Sequence, residues 1–348
     1  MGARRRFIGL VALGGLAPAM LAGTASGGSA GSDPIGYCRP QASSFDPPDV
    51  PEGGSAAVDL PGVRERRLAV DGTATRLLES GRRGSPTAVV LLHGSPGSGV
   101  DWEDLLPRLG SAANRAIAVD IPGFGHAAEA WGRQAGLNSG VRFLERVLRK
   151  LAIRRVHLVA HDIGGPLGLE WASRHPRRLR SATLIDTGLL IGYRHHQLAQ
   201  ITRSPAGESF WLQLNRASFS AGIQDGQSRP LPPEFVNRLY DDLDRETRCA
   251  IIALYRSAGE AYINRFARRQ ARILARWRSR PALVIWGADD PYLPAQMAQS
   301  QRSGFPRARI RIFEDAGHWP FVDYRLRTRR LVVPFIRRAI GRDRRRAG

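Results

Sequence analysis

Lysine is almost missing from this chain. Lys150 is the only one among 52 basic residues, so arginine carries the formal net charge of +21. A charge of that size invites a polyanion-binding reading. No nucleic-acid module accompanies it, however, and aromatics are not interleaved with the arginines as a base-stacking platform requires. The arginines are spread along the chain, with mild clusters at Arg174 to Arg180, Arg265 to Arg280 and Arg342 to Arg346. That distribution fits solvated helix faces, and no specific nucleic-acid partner is expected. Cysteine is equally scarce. Cys38 and Cys249 lack the neighbouring histidines of a zinc site, and nothing in the sequence shows whether they meet. If bridged, so long a loop would be worth about 5 kcal/mol in the chain-entropy model.

Long apolar runs are missing too. The stretch from Phe7 to Ala22 falls short of the roughly 20 residues that a spanning helix needs, so no stable membrane insertion is expected. It follows Arg4, Arg5 and Arg6 and precedes small residues at Gly23, Thr24 and Ala25. This is the layout of a signal peptide over residues 1–25. The run Arg4 to Ile8 resembles a twin-arginine export signal. An exported protein, periplasmic or extracellular, is the expectation. Glycine and proline are frequent but not periodic, which excludes collagen-like and repeat architectures.

Residues 26–60 are rich in Gly, Ser, Pro and Asp and read as a flexible lead-in. Beyond them, short apolar runs alternate with helical patterns. Strands are predicted at 67–70, 75–78, 88–92, 116–119, 156–160, 182–185, 282–286 and 309–313. Several are apolar throughout, as strands buried on both faces are. Between them, Leu144, Val147, Leu148 and Leu151 recur at helical spacing. The alternation predicts an α/β fold with a mostly parallel central sheet and helices on both faces. Residues 189–280 break the rhythm with a helical, Arg- and aromatic-rich segment. They read as a cap inserted into a core of 61–188 and 281–348.

The chemistry centres on Leu158-Val159-Ala160-His161-Asp162-Ile163-Gly164-Gly165-Pro166. An apolar strand runs into a glycine-supported turn and then a helix, with Asp162 at the tip. This is the nucleophile-elbow arrangement, carrying aspartate where serine is usual. A free carboxylate has a pKa near 4 and needs no base to become nucleophilic at neutral pH. It attacks a saturated carbon to form an alkyl ester, which a histidine must then help water to cleave.

Four patches resemble the epoxide hydrolase and haloalkane dehalogenase branch of the α/β-hydrolase superfamily. They are Leu92-His93-Gly94-Ser95-Pro96-Gly97, Asp120-Ile121-Pro122-Gly123-Phe124-Gly125, the Asp162 elbow, and the late pair Trp286-Gly287-Ala288-Asp289-Asp290-Pro291 with Ala316-Gly317-His318-Trp319. The resemblance runs from about 64 to 340. It implies a hydrolase that needs no cofactor or metal and acts on a small apolar substrate with water. It implies His318 as the base, with Asp290 as its acid ahead of Asp186 and Asp289. Backbone N–H groups of Ser95 and Ile163 would form the oxyanion hole. His93 and His161 are expected to support loops, and His195 and His196 to be structural or exposed. An aspartate at a strand–helix junction also serves as a plain N-cap, and that reading stands beside the catalytic one.

The leaving group separates the branches. Epoxide opening in the family uses cap tyrosines, and Tyr193, Tyr240, Tyr255 and Tyr262 all fall in the cap. Tyr255 is the preferred late donor, with Trp211 as a further contact. A haloalkane dehalogenase resembling the family would carry Trp after the nucleophile, where this chain has Ile163, a residue without a side-chain donor. An epoxide-hydrolase-like enzyme is therefore the first reading. A haloalkane dehalogenase comes second, and a non-catalytic ligand-binding protein on the same fold third. Oligomeric state is not legible.

Overall fold

A computed structural model describes Cys38 and residues 59–70, 73–111, 114–127 and 137–345. The expected signal segment, nearly all of the lead-in and Arg346 lie outside the described residues. The strands are β1 (Val63–Val70), β2 (Thr73–Gly81), β3 (Thr87–Leu92), β4 (Arg115–Val119), β5 (Arg155–His161), β6 (Leu179–Ile185), β7 (Ala282–Gly287) and β8 (Arg309–Phe313). They form one eight-stranded sheet in the order β1-β2-β4-β3-β5-β6-β7-β8. The β1–β2 and β2–β4 pairs are antiparallel, and all later pairs are parallel. Every residue of β4 and β7 is buried. Such strands need cover on both faces, which is why they read as unbroken apolar runs.

The helices outside the cap are α1 (Leu106–Leu109), α2 (Leu137–Lys150) and α3 (Gly164–Arg174) before it. Between β6 and β7 lie α4 (Gln197–Arg203), α5 (Gly207–Gln213), α6 (Arg216–Gln224), α7 (Pro233–Asp241), α8 (Arg245–Ser257) and α9 (Glu260–Ala275). After β7 come α10 (Met297–Ser300), α11 (Pro320–Asp323) and α12 (Arg325–Arg345). In α2 the spacing of Val141, Leu144, Val147 and Leu148 places all four on the buried side. The helical segment between β6 and β7 is tied internally by Arg248. Its guanidinium is buried and donates to the carbonyls of Trp211, Leu214 and Leu243.

The two cysteines are bonded. Cys38 and Cys249 form a disulfide with their Cα atoms 5.6 Å apart across a separation of 211 residues. It pins chain that precedes β1 to α8.

A buried ion pair braces the sheet's carboxyl edge. Asp120, just after β4, accepts from Arg76 Nε at 3.0 Å, from Gly99 N–H at 2.7 Å and from His126 N–H at 2.9 Å. Both ionic side chains are 1% exposed or less. This explains the aspartate that opens the Asp120 to Gly125 patch: it clamps the loops after β3 and β4 together. Asp120→Ala would leave the Arg76 guanidinium buried without its carboxylate. A loss of about 3–5 kcal/mol is expected, measurable as a lower urea midpoint at unchanged slope.

Candidate active site

The site grows from the end of β5. His161 is its last residue and α3 starts at Gly164, so only Asp162 and Ile163 make the turn. Asp162 takes φ +43°, a conformation that costs a side-chain-bearing residue energy and persists where the surroundings enforce it. Gly164 is enforced sterically. A Cβ there would stand 2.5 Å from the Leu92 carbonyl oxygen, so a larger residue would push the turn off β3. The tip is also tied by the Thr187 hydroxyl, which donates to the Asp162 carbonyl.

The carboxyl group of Asp162 does not sit as a plain helix cap. The N-cap position of α3 belongs to Ile163 and has no side-chain bond. Asp162 Oδ2 instead accepts the Ser95 N–H at 2.8 Å, from the loop after β3. The Ile163 N–H, next along the chain, also favours the charged form of this carboxylate. The two backbone donors named from the sequence thus converge on one side chain. Oδ2 is the oxygen that the Ser95 N–H holds. Burial raises the Asp162 pKa above its ordinary value, and the nearby Asp290 charge adds to this. His318 and the two N–H donors pull the other way.

His318 follows β8, in the loop that leads to α11. Its Nδ1 donates to Asp290 Oδ2 at 2.8 Å. Asp290 is further fixed by the N–H groups of Tyr292 (2.8 Å) and Leu293 (2.9 Å), both on Oδ1. Burial alone would lower the His318 pKa. The carboxylates of Asp290, Asp162 and Asp323, with the Asp290 hydrogen bond, outweigh it and raise the value. Asp289 is exposed and takes the Ser228 hydroxyl instead. Asp186 lies buried behind Asp290, and its Oδ1 accepts the Gly287 N–H at 2.9 Å. Of the three candidate acids, only Asp290 bonds to the imidazole among the described contacts.

The other histidines by the elbow hold loops. His93 Nε2 accepts the Ile121 N–H at 2.8 Å, which leaves Nδ1–H to donate to the Gly94 carbonyl at 2.8 Å. His161 Nε2 donates to the His318 carbonyl at 2.9 Å. Because its neighbour in sequence is Asp162, this bond couples the elbow to the His318 loop directly.

Trp211 requires a correction. Its indole N–H donates to Thr202 Oγ1 at 3.1 Å inside the cap, and the ring is buried there against Phe210. The donor that a leaving group would need is already engaged in holding α5 to α4. Tyr255, in contrast, lies close enough to Asp162 for that charge to raise its pKa. Burial is the larger cause, and Tyr193 and Tyr292 add to it. Tyr193 and Tyr292 respond to Asp162 in the same sense.

Sequence reading assigned His196 only a structural or exposed place and did not single out Tyr292. His196 Nδ1 accepts the Ala199 N–H at the start of α4. In the neutral ring this leaves the hydrogen on Nε2, which stands 3.1 Å from the Tyr255 hydroxyl. Burial holds the His196 pKa down to about 4, so the ring is neutral at working pH. Its N–H therefore donates to the phenol oxygen, and the phenol's own proton is free to go elsewhere. Tyr292 packs on the His318 ring at 4.9 Å between centroids. Its position two residues after Asp290 was the available signal. For His196 the sequence carried none, since the contact joins residues 59 apart.

Comparison with known proteins comes to the same fold. The family profile described as the alpha/beta hydrolase fold matches residues 87–323. A 2-hydroxy-6-oxononadienedioate/2-hydroxy-6-oxononatrienedioate hydrolase from Burkholderia vietnamiensis is 28% identical over 281 residues, covering 77% of this chain and 93% of the relative. Among solved structures, the haloalkane dehalogenase DatA from Agrobacterium tumefaciens C58 superposes with a TM-score of 0.68 at 21% identity, covering 80% of this chain and 98% of that one. A putative lipase from Acinetobacter baumannii AYE gives 0.68 at 19% identity, covering 83% and 100%.

Proposed function

The chain belongs to the α/β-hydrolase fold family, and on that premise we propose that this hydrolase opens apolar epoxides through an ester on Asp162. The observation that carries the reading is the placement of a carboxylate, not a hydroxyl, at the elbow with one oxygen in the oxyanion hole. A carboxylate that attacks an acyl carbon forms a mixed anhydride, an intermediate more reactive than an ordinary ester. One that attacks a saturated carbon forms a stable alkyl ester. The chemistry of the nucleophile thus favours an alkyl electrophile over the carbonyl substrate named for the Burkholderia relative.

In the first step Oδ1 of Asp162 bonds to an epoxide carbon as the ring C–O bond breaks. The departing oxygen takes the proton of Tyr255, whose phenolate then accepts the His196 N–H. In the second step His318 removes a proton from water, and the hydroxide adds to the ester carbonyl. The oxyanion formed on Oδ2 already faces the Ser95 N–H, and the Ile163 N–H is the second donor proposed for it. Collapse releases a diol and returns the carboxylate, and the imidazolium proton restores Tyr255. Burial keeps Tyr255 protonated well past neutral pH, as a donor must be.

Halide release asks for side-chain N–H donors at the leaving-group end. Ile163 has none, and the Trp211 donor is engaged in the cap, which disfavours the dehalogenase reading. The disulfide supports the proposal of an exported protein, since such bonds persist in oxidising compartments. The test is a panel of styrene-oxide-like epoxides, haloalkanes and carboxylic esters. Diol formation without halide release is the expected result, and halide release without diol would reverse it. Tyr255→Phe removes the proton donor and is expected to lower epoxide turnover about 10²–10⁴-fold, read as kcat with substrate binding retained.

A further inference from the structure

Asp186 follows β6 in the same way that Asp162 follows β5, with a positive φ of +42°. It is fully buried. Its Oδ1 accepts the Gly287 N–H, while Oδ2 accepts no donor among the described residues. Its side-chain hydrogen-bonding neighbour is the carboxyl group of Asp290. One oxygen of each acid and a ring nitrogen of His318 lie within 4.8 Å of one another.

Two carboxylates so placed in a buried setting do not both stay ionised, because each charge disfavours the other and water is absent to screen them. The proton goes to the acid with fewer donors. Asp290 receives three N–H groups, from Tyr292, Leu293 and His318. Asp186 receives one. We propose that Asp186 is a positioning residue that remains protonated and donates its O–H to Asp290, so that the imidazole is held by a chain of two carboxyl groups carrying one negative charge. The titratable groups facing Asp186 are Asp290, His318 and, from α11, Asp323. The two acids and burial all favour its protonated form, against the Gly287 N–H alone.

The arrangement has two consequences. The Asp186 O–H adds a fourth donor to Asp290, which fixes its plane and, through it, the His318 ring. It also keeps a second negative charge away from the imidazole, which would otherwise hold its proton too tightly to act as a base near neutral pH. The inference rests on the triad and not on the identity of the leaving group.

The test uses the full chain with Asp186→Asn, which keeps an N–H donor at the same place, and Asp186→Leu, which removes it. The first readout needs no substrate. A protonated-carboxyl C=O band is expected at neutral pH in the infrared difference spectrum of the parent protein against Asp186→Asn. The second is the acidic limb of the kcat–pH profile on whichever substrate is turned over. The limb is expected to stay in place in Asp186→Asn, with kcat within about threefold, and to move up with a loss of kcat in Asp186→Leu. An ionised Asp186 would give the opposite signature. Its removal in Asp186→Asn would lower the limb by about one unit or more, and no band would be seen. Stoichiometric binding of a divalent cation that Asp186→Asn abolishes would overturn the proposal equally, since a cation at these three atoms needs both acids ionised. If no epoxide is turned over, the infrared result still decides.

Discussion

His318→Ala is expected to halt the reaction halfway, with one substrate molecule covalently attached to Asp162. The first step needs the Asp162 carboxylate and the Tyr255 proton, and the imidazole transfers no proton in it. The second step needs a base to take a proton from water, and His318 is the group bonded to Asp290 for that task. Removing it leaves an alkyl ester whose carbonyl is polarised by Ser95 and Ile163 but meets no activated water. Steady-state turnover should fall about 10³–10⁴-fold or more, while a single round of ester formation survives. Intact-protein mass spectrometry should show the parent mass plus one substrate, and peptide mapping should place it on the segment that holds Asp162. Asp162→Asn should abolish the adduct. Substrate bound without added mass in His318→Ala would mean that no ester forms and would return the fold to a receptor reading.

The pH dependence follows from the same step. His318 must be neutral to accept the proton, and its pKa is raised above the ordinary value by the surrounding carboxylates. Ester hydrolysis should therefore rise with pH as His318 loses its proton and level off at higher pH, with the limb lower than the His318 pKa of the free protein because the ester removes the Asp162 charge. An NMR titration of the free protein that put His318 below 6.5 would contradict the assigned charge environment.

How far the sequence reached depends on where each signal was stored. Strands buried on both faces leave apolar runs, so every strand segment from 67–70 to 309–313 falls within an observed strand. The elbow was legible because the turn, its glycines and the nucleophile are contiguous. Asp290 and His318 were named through the family resemblance, on the Trp286 to Pro291 and Ala316 to Trp319 patches, each in the loop after a strand. The cap is different. Its helices were readable as helices, but Trp211 and His196 owe their roles to how α4, α5 and α8 pack. Periodicity says that Trp211 is apolar and faces inward. It does not say that Thr202 stands nine residues away to take the indole proton. The proton-sharing acid was half visible. Asp186 was named as a rival to Asp290, whereas the fold puts both acids in one buried cluster.

Asp290→Asn is expected to reduce turnover about 10⁴-fold, and the geometry explains why so small a change should be so costly. Asp290 Oδ1 accepts two backbone N–H groups, from Tyr292 and Leu293. An asparagine must keep its carbonyl oxygen there, since the flipped amide would set NH₂ against two N–H donors. The amide nitrogen is therefore forced toward His318 Nδ1. Two donors cannot share that contact, so Nδ1 must become the acceptor and the imidazole hydrogen must move to Nε2. A ring with hydrogen on Nε2 cannot take a proton from water at that nitrogen, and no carboxylate remains at position 290 to stabilise the imidazolium. The loss should fall on ester hydrolysis and spare ester formation. In rapid-quench experiments a full burst should precede a slow steady state, with the adduct on Asp162 accumulating as in His318→Ala. Asp290→Ala, which imposes no tautomer, should be less damaging than Asp290→Asn. Equal burst and steady-state rates in Asp290→Asn would mean that the carboxylate does not act through His318, and the triad assignment would fall with it.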